Sequence, residues 1–323
     1  MPKQISTVRG MVDVDSLGTT LMHEHVFIVD PDILRNYGGH WEEDKRIADA
    51  VEKLKAAKAA GIDTIVDPTV VGLGRYLPWV QRVNEQVDIN IIPATGLYSF
   101  GEIRTFFEYR GPGELIDMPE PMTELFVRDI KEGIAGTGVK AAFLKHVIEA
   151  TGLTHGQTRI ATAVCEAHQE TGVPITVHTN SEHEMGRVAI EFYEKHNVDL
   201  TKVVIGHAGD SNDLDYLRFI ADKGCIIGHD RFGLDIFNTT DQRVASIATL
   251  CKEGYADRIA LAHDVSCYID YFPGDQQQAI GQVVPNWHLL HITNDVLPAL
   301  REQGVTDDQI HQMMVETPKR YFS

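Results

Sequence analysis

Four apolar runs in this chain end in or beside a histidine: LMHEH at 21–25, ITVHT at 175–179, VVIGHAGD at 203–210 and IALAHD at 259–264. A fifth, AAFLKH at 141–146, carries a lysine. Together they offer imidazoles from His23, His25, His178 and His207, a carboxylate from Asp264 and an amine from Lys145. Imidazole and carboxylate suit divalent cations, and this set can hold two. Water on such an ion titrates near pH ~7, so a hydroxide nucleophile becomes available under neutral conditions. The chemistry indicated is metal-dependent hydrolysis. A lone histidine at a strand end carries little weight in a chain with 15 of them. Several matched positions in one strand frame carry much more.

Spacing sorts the candidates. Alternate side chains of a strand share a face, so His23 and His25 can address one ion while Glu24 points away. His178 shares parity with Thr176. Asp264 shares parity with Ala260 and Ala262, whereas His263 falls with Ile259 and Leu261 toward the helices, so Asp264 is the expected inward group. Lys145 fits badly as an ammonium, which has no lone pair and repels cations. As a neutral amine that has taken up carbon dioxide it becomes a carbamate of charge about −1, whose two oxygens can bridge two ions. Two divalent ions, one carbamate, one aspartate and one hydroxide leave a net charge of about +1.

The elements that must position these groups alternate. Short apolar runs lie at Thr20–Phe27, Thr64–Val70, Asn90–Tyr98, Lys140–Val147, Pro174–Thr179, Val203–His207, Cys225–Gly228 and Ile259–Asp264. They are bounded by Gly, Pro or Asp, as buried parallel strands are. Between them, helical stripes recur: Ile47, Val51, Leu54 and Lys58; Met122, Phe126, Ile130 and Ile134; Ile160 and Val164; Leu214, Leu217 and Ala221; Val244, Ala248 and Cys251. The pattern predicts one (β/α)8 TIM barrel over 1–323, with its site at the C-terminal ends of the strands. The helical segment after the second strand is short. The connection Tyr98–Pro121, containing GPGELIDMPEP, is long enough for a binding loop or lid. A C-terminal helix is expected over Asp307–Thr317, capped by Thr306 and ended by Pro318.

The formal net charge is −18, which argues against nucleic-acid and anionic-membrane partners. No apolar stretch approaches the ~20 residues of a membrane span, and MPKQISTVRG lacks the apolar core of a signal peptide. A cytoplasmic location is expected. Cys165, Cys225, Cys251 and Cys267 show no CxxC spacing and read as reduced packing residues.

In order and over nearly the whole chain, HEH, the lysine of AAFLKH, VHT, IGHAGD and the late aspartate resemble the phosphotriesterase family of the amidohydrolase superfamily. The resemblance implies a distorted barrel with a binuclear centre. One ion is held by His23, His25 and Asp264 and the other by His178 and His207, with carboxylated Lys145 (N6-carboxylysine) and a hydroxide between them. Zinc is the first expectation for both ions, with cobalt, iron or manganese as alternatives. Tyr98 in ATGLYSF, Arg231 in HDRFGLD and the connection Val265–Asn286, with Cys267, Tyr268, Ile269, Tyr271 and Phe272, look like the phosphotriesterase-like lactonases, quorum-quenching enzymes that open N-acyl-homoserine lactones. On that likeness Tyr98 stabilises the oxyanion, Asp264 moves the proton and Arg231 orders the strand-seven loop, while Tyr271, Trp287, Phe100 and Leu234 line an acyl channel. Ser266 stands where some relatives have Cys. The family also implies a homodimer. Competing expectations are a dedicated organophosphate triesterase, an N-acyl amide hydrolase on the same centre, and a metal-binding barrel without activity.

Overall fold

The computed structural model describes residues 3–37, 41–101, 103–272 and 275–323. Glu102 of the long connection, Pro273 and Gly274 of the strand-eight connection, and Met1 and Pro2 of the N-terminal segment lie outside them. Eight parallel strands form one sheet: β1 (Thr20–Leu21), β2 (Thr64–Asp67), β3 (Asn90–Gly96), β4 (Phe143–Ile148), β5 (Ile175–Thr179), β6 (Val203–Gly206), β7 (Ile226–His229) and β8 (Ile259–Leu261). They neighbour one another in chain order. The Met22 amide donates to the Leu261 carbonyl at 3.1 Å, which ties β1 to β8 and closes the barrel. The expected fold is therefore the observed one.

Inside, Val66, Ile92, Ala94, Phe143, Val204, Ile226 and Ala260 pack together with Ile5, Val14 and Leu17 from the N-terminal segment and Tyr321 and Phe322 from the C-terminus. Both ends of the chain thus fill the barrel away from the strand ends that carry the site; the Tyr321 hydroxyl meets Thr176 Oγ1 at 2.9 Å. Outside, the helical stripes face the sheet. Helix α1 (Glu43–Ala59) buries Ile47, Ala50, Val51, Leu54 and Ala57, and Lys58 extends its ammonium to Asp63 at 2.8 Å. The helix that follows β2 is short, α2 (Leu77–Asn84). Further helices around the sheet are α3 (Pro121–Lys131), α4 (His155–Thr171), α5 (Met185–Lys195), α6 (Leu214–Asp222) and α7 (Thr240–Lys252).

Three local expectations are corrected. The run Thr20–Phe27 is not one strand: it breaks after Leu21 and resumes as a separate strand, His25–Ile28, paired with Ser266–Ile269. Helix α3 ends at Lys131, so Ile134 is buried in the following turn rather than on the helix. The C-terminal helix starts after Thr306 in a full capping box, but it does not stop at Pro318; a π-type turn over Gln312–Glu316 leads into Thr317–Phe322. Pro318 occupies the first turn of that last segment, where a missing N–H costs nothing. In the strand Ser266–Ile269 the pocket is met by Ser266 and Ile269, while Cys267 is buried in the core and Tyr268 packs on Trp41 and beneath Arg46. All four cysteines are buried and free. No helix among the described residues is long and apolar enough to cross a membrane.

Candidate metal centre and active site

One cavity of about 320 Å³ opens at the C-terminal ends of the strands, and its lining includes all twelve residues singled out in the sequence. His23, His25, Lys145, His178, His207 and Asp264 form its floor. Tyr98, Phe100, Arg231, Leu234, Tyr271 and Trp287 rise around it.

The local backbone explains how the floor residues point inward. On β4, Phe143 and Lys145 share the inner face. Lys145 pairs in register with Gly96 on β3 and Thr176 on β5. A Cβ on Gly96, at φ +145°, would overlap the Lys145 carbonyl, so only glycine allows these strands to approach so closely. His207 shares parity with Val203 and Ile205, which pack on the outer core; a left-handed turn at His207 (φ 63°) swings it inward. Asp264 also adopts this conformation (φ 55°), three residues beyond the end of β8. Its amide donates to the His23 carbonyl at 3.0 Å. His263 faces outward: its amide and Nδ1 meet Glu24 Oε1 at 2.8 and 2.7 Å, and its Nε2 accepts from the Ile292 amide.

The ligand atoms converge. His23 Nε2 lies 3.4 Å and His25 Nε2 3.3 Å from Asp264 Oδ1, and His207 Nε2 is 3.9 Å from Oδ2. Lys145 Nζ is 3.4 Å from His23 Nε2, and His178 Nδ1 is 2.9 Å from His207 Nε2. Burial lowers the Lys145 ammonium to about 8 and holds His178 at about 4 and His207 well below the usual histidine range. Burial alone would push the Asp264 carboxyl up; the surrounding imidazoles and the Arg231 guanidinium reverse this and hold it well below the usual carboxylate range.

The outer ring nitrogens decide what the inner ones are. His178 Nε2 meets Glu149 Oε1 at 2.6 Å, and His207 Nδ1 meets Asp230 Oδ1 at 2.9 Å. A carboxylate accepts only, so both outer nitrogens carry the proton. Their inner nitrogens then face each other as two lone pairs, an arrangement that calls for a cation between them. His23, His207 and Asp264 also place three ligand atoms within 4.8 Å of one another. The donor set of neutral imidazoles, a carboxylate and a readily deprotonated amine therefore fits divalent metal.

Several of these supports were not read from the sequence. Asp230 sits beside Arg231 in the HDRFG run and ends the inward parity of β7. Thr69 receives His25 Nδ1 at 2.7 Å and donates onward to Asp67 at 2.5 Å. Glu149 lies four residues after Lys145, and Asp210 closes the IGHAGD run. Arg231 Nε donates to Asp264 Oδ2 at 3.0 Å, and its Nη1 donates to Asp210 Oδ2 at 3.1 Å. The Tyr98 hydroxyl lies 3.5 Å from His178 Nδ1.

The chain's sequence matches the pattern of the phosphotriesterase family over residues 3–322. It is 47% identical over 320 residues to the phosphotriesterase homology protein of Mycobacterium tuberculosis, covering 99% of this chain and 97% of that one. It is 35% identical over 315 residues to the aryldialkylphosphatase of Saccharolobus solfataricus, covering 98% of each. The solved structure of the phosphotriesterase from Mycobacterium tuberculosis superposes with a TM-score of 0.97 at 46% identity, covering 99% of this chain and 98% of that one.

Proposed function

This chain belongs to the phosphotriesterase family of hydrolases, and from that premise we propose that it opens the lactone ring of N-acyl-homoserine lactones at a binuclear metal centre, with a lesser activity on phosphotriesters. The observation that carries the lactone reading is the pairing of Tyr98 and Arg231 around the ligand cluster, at the base of a pocket with apolar walls. A second cavity of about 260 Å³, lined largely by apolar side chains, adjoins the first across Ser266, Ile269, Phe272, Ile280, Val284 and Trp287, and it offers room for an acyl chain.

His23, His25 and Asp264 would hold one ion, His178 and His207 the other, with Lys145 as a carbamate between them. When bound, the ions supply Lewis acidity and a hydroxide near neutral pH. Asp264 accepts the proton released as the new C–O bond forms and passes it to the ring oxygen as the acyl C–O bond breaks. Tyr98 stays protonated, since burial pushes its phenol above the ordinary range, and its hydroxyl donates to the developing oxyanion. Arg231 stays charged between Asp264 and Asp210 and fixes the carboxylate that moves the proton. Phosphotriesters enter the same scheme because tetrahedral phosphorus resembles the tetrahedral intermediate of lactone opening.

A dedicated organophosphatase is the second reading, favoured by the name of the Saccharolobus relative. Parallel kcat/KM measurements with a long-chain acyl-homoserine lactone, paraoxon and an N-acyl amino acid separate the readings. The lactone is expected to be the best substrate; paraoxon or the amide ahead of it would sink the proposal. We further propose that the chain acts as a homodimer, which light scattering on the purified protein tests.

A further inference from the structure

One carboxylate touches both halves of the centre. Asp230 Oδ2 meets His23 Nδ1 at 3.0 Å, and Asp230 Oδ1 meets His207 Nδ1 at 2.9 Å and the His207 backbone amide at 2.9 Å. All three side chains are at most 2% exposed, so water does not compete for these bonds. The barrel makes room for the carboxylate by omission. Gly228 and Gly206 approach it, and a Cβ on Gly228 would lie 2.6 Å from Asp230 Oδ2.

On the premise of the binuclear reading above, we infer that Asp230 is a positioning residue shared by the two metal sites, setting the tautomer of one histidine ligand from each. An ionised carboxylate donates nothing, so it holds the proton of both rings on Nδ1 and turns both Nε2 lone pairs into the cavity. His23 and His207 lie far apart in the sequence, just after the first and sixth strands of the barrel, yet one side chain prepares both. Neither site then has an independent orienter for these two ligands.

The geometry predicts an asymmetric outcome for Asp230→Asn. The two donors of His207, its amide and its Nδ1–H, both meet Oδ1, so the amide oxygen of Asn must stay there. The amide NH2 then faces His23 Nδ1 and can only donate. His23 is forced to keep its lone pair on Nδ1 and its proton on Nε2, facing the cavity, where it cannot bind metal. The ion of His23, His25 and Asp264 is weakened, whereas the ion of His178 and His207 is kept.

The test is metal stoichiometry and affinity by equilibrium dialysis with zinc and bicarbonate, on wild-type and D230N protein of matched circular dichroism. The expected result is two ions on the wild type. D230N should keep one ion at wild-type affinity and bind the other on the order of 10–100-fold more weakly. Two ions at unchanged affinity on D230N, or equal weakening of both, would overturn the inference. Wild-type protein that takes fewer than two ions overturns the binuclear reading and this inference with it. If D230N does not fold, nitrogen NMR of the wild-type protein without metal decides: His23 and His207 must both show the Nδ1–H tautomer, and an Nε2–H signal from either refutes the assignment.

Discussion

Each of the four histidines that face the cavity commits one ring nitrogen to an oxygen outside it: His23 and His207 to Asp230, His25 to Thr69, and His178 to Glu149. Three present Nε2 to the site and His178 presents Nδ1. These outer contacts give the first prediction. Thr69 relays the His25 N–H to Asp67, so Thr69→Ala should weaken metal binding ~10–100-fold, while Thr69→Ser, which keeps the hydroxyl, should bind as wild type. Equal affinity of T69A and wild type in a metal titration would show that the contact has no orienting role. The second concerns the proposed oxyanion donor. Tyr98→Phe should lower kcat for a lactone by about 10²–10³ with metal content unchanged; a loss confined to KM would make Tyr98 a binding residue instead. The residues that converge on the cavity floor were legible in the sequence because their types are rare in apolar runs and recur at or near strand ends. Asp230, Thr69 and Glu149 were not, because each meets its histidine across strands, and nothing in linear spacing announces a partner 44 or 207 residues away.

At the scale of elements, alternation located the right faces but not always for the right reason. It holds for Lys145 and for His178, which sit within β4 and β5. It does not account for His207, whose strict parity would aim it at the helices; the left-handed turn at φ 63° reverses that. Such a conformation costs a non-glycine residue ~1–3 kcal/mol, and here the Asp230 contacts to the His207 amide and ring hold it in place. The long connection after β3 was recognisable by its Gly and Pro content, yet its anchoring was not. Arg159 on α4 reaches out to the Phe107 and Arg110 carbonyls and to Glu114 and Glu120, all from a nearly buried position. Removing one partner of a buried, charged network costs ~3–5 kcal/mol locally. Arg159→Ala should therefore leave the barrel folded while making the segment from Thr105 to Asp117 far more susceptible to limited proteolysis. A cleavage rate equal to wild type would show that the segment is held by its other contacts.

At the scale of the molecule, the proposed centre would draw its ligands from five strands between His23 and Asp264, so it could form only when the barrel is closed. Residues from both termini, Ile5 and Tyr321 among them, complete the barrel interior, and metal binding at the proposed centre would thereby be linked to the folding of the whole chain. An ion that binds only the folded state adds about 2.7 kcal/mol at a free concentration of 100 Kd. For a chain of this size that is roughly 5 °C in Tm. Chelation should lower Tm by about that amount for each site emptied. Lys145 makes recovery informative. Its ammonium sits at about 8 because it is buried, so near neutral pH part of the population has a free amine able to take up carbon dioxide. Zinc with bicarbonate should restore the full Tm, whereas zinc in degassed buffer should restore only part of it. In Lys145→Ala, where no carbamate can form, the bicarbonate-dependent part should vanish. If degassed and bicarbonate-fed protein recover equally, the two ions are bridged without a lysine carbamate, and the charge balance of the centre must come from another group.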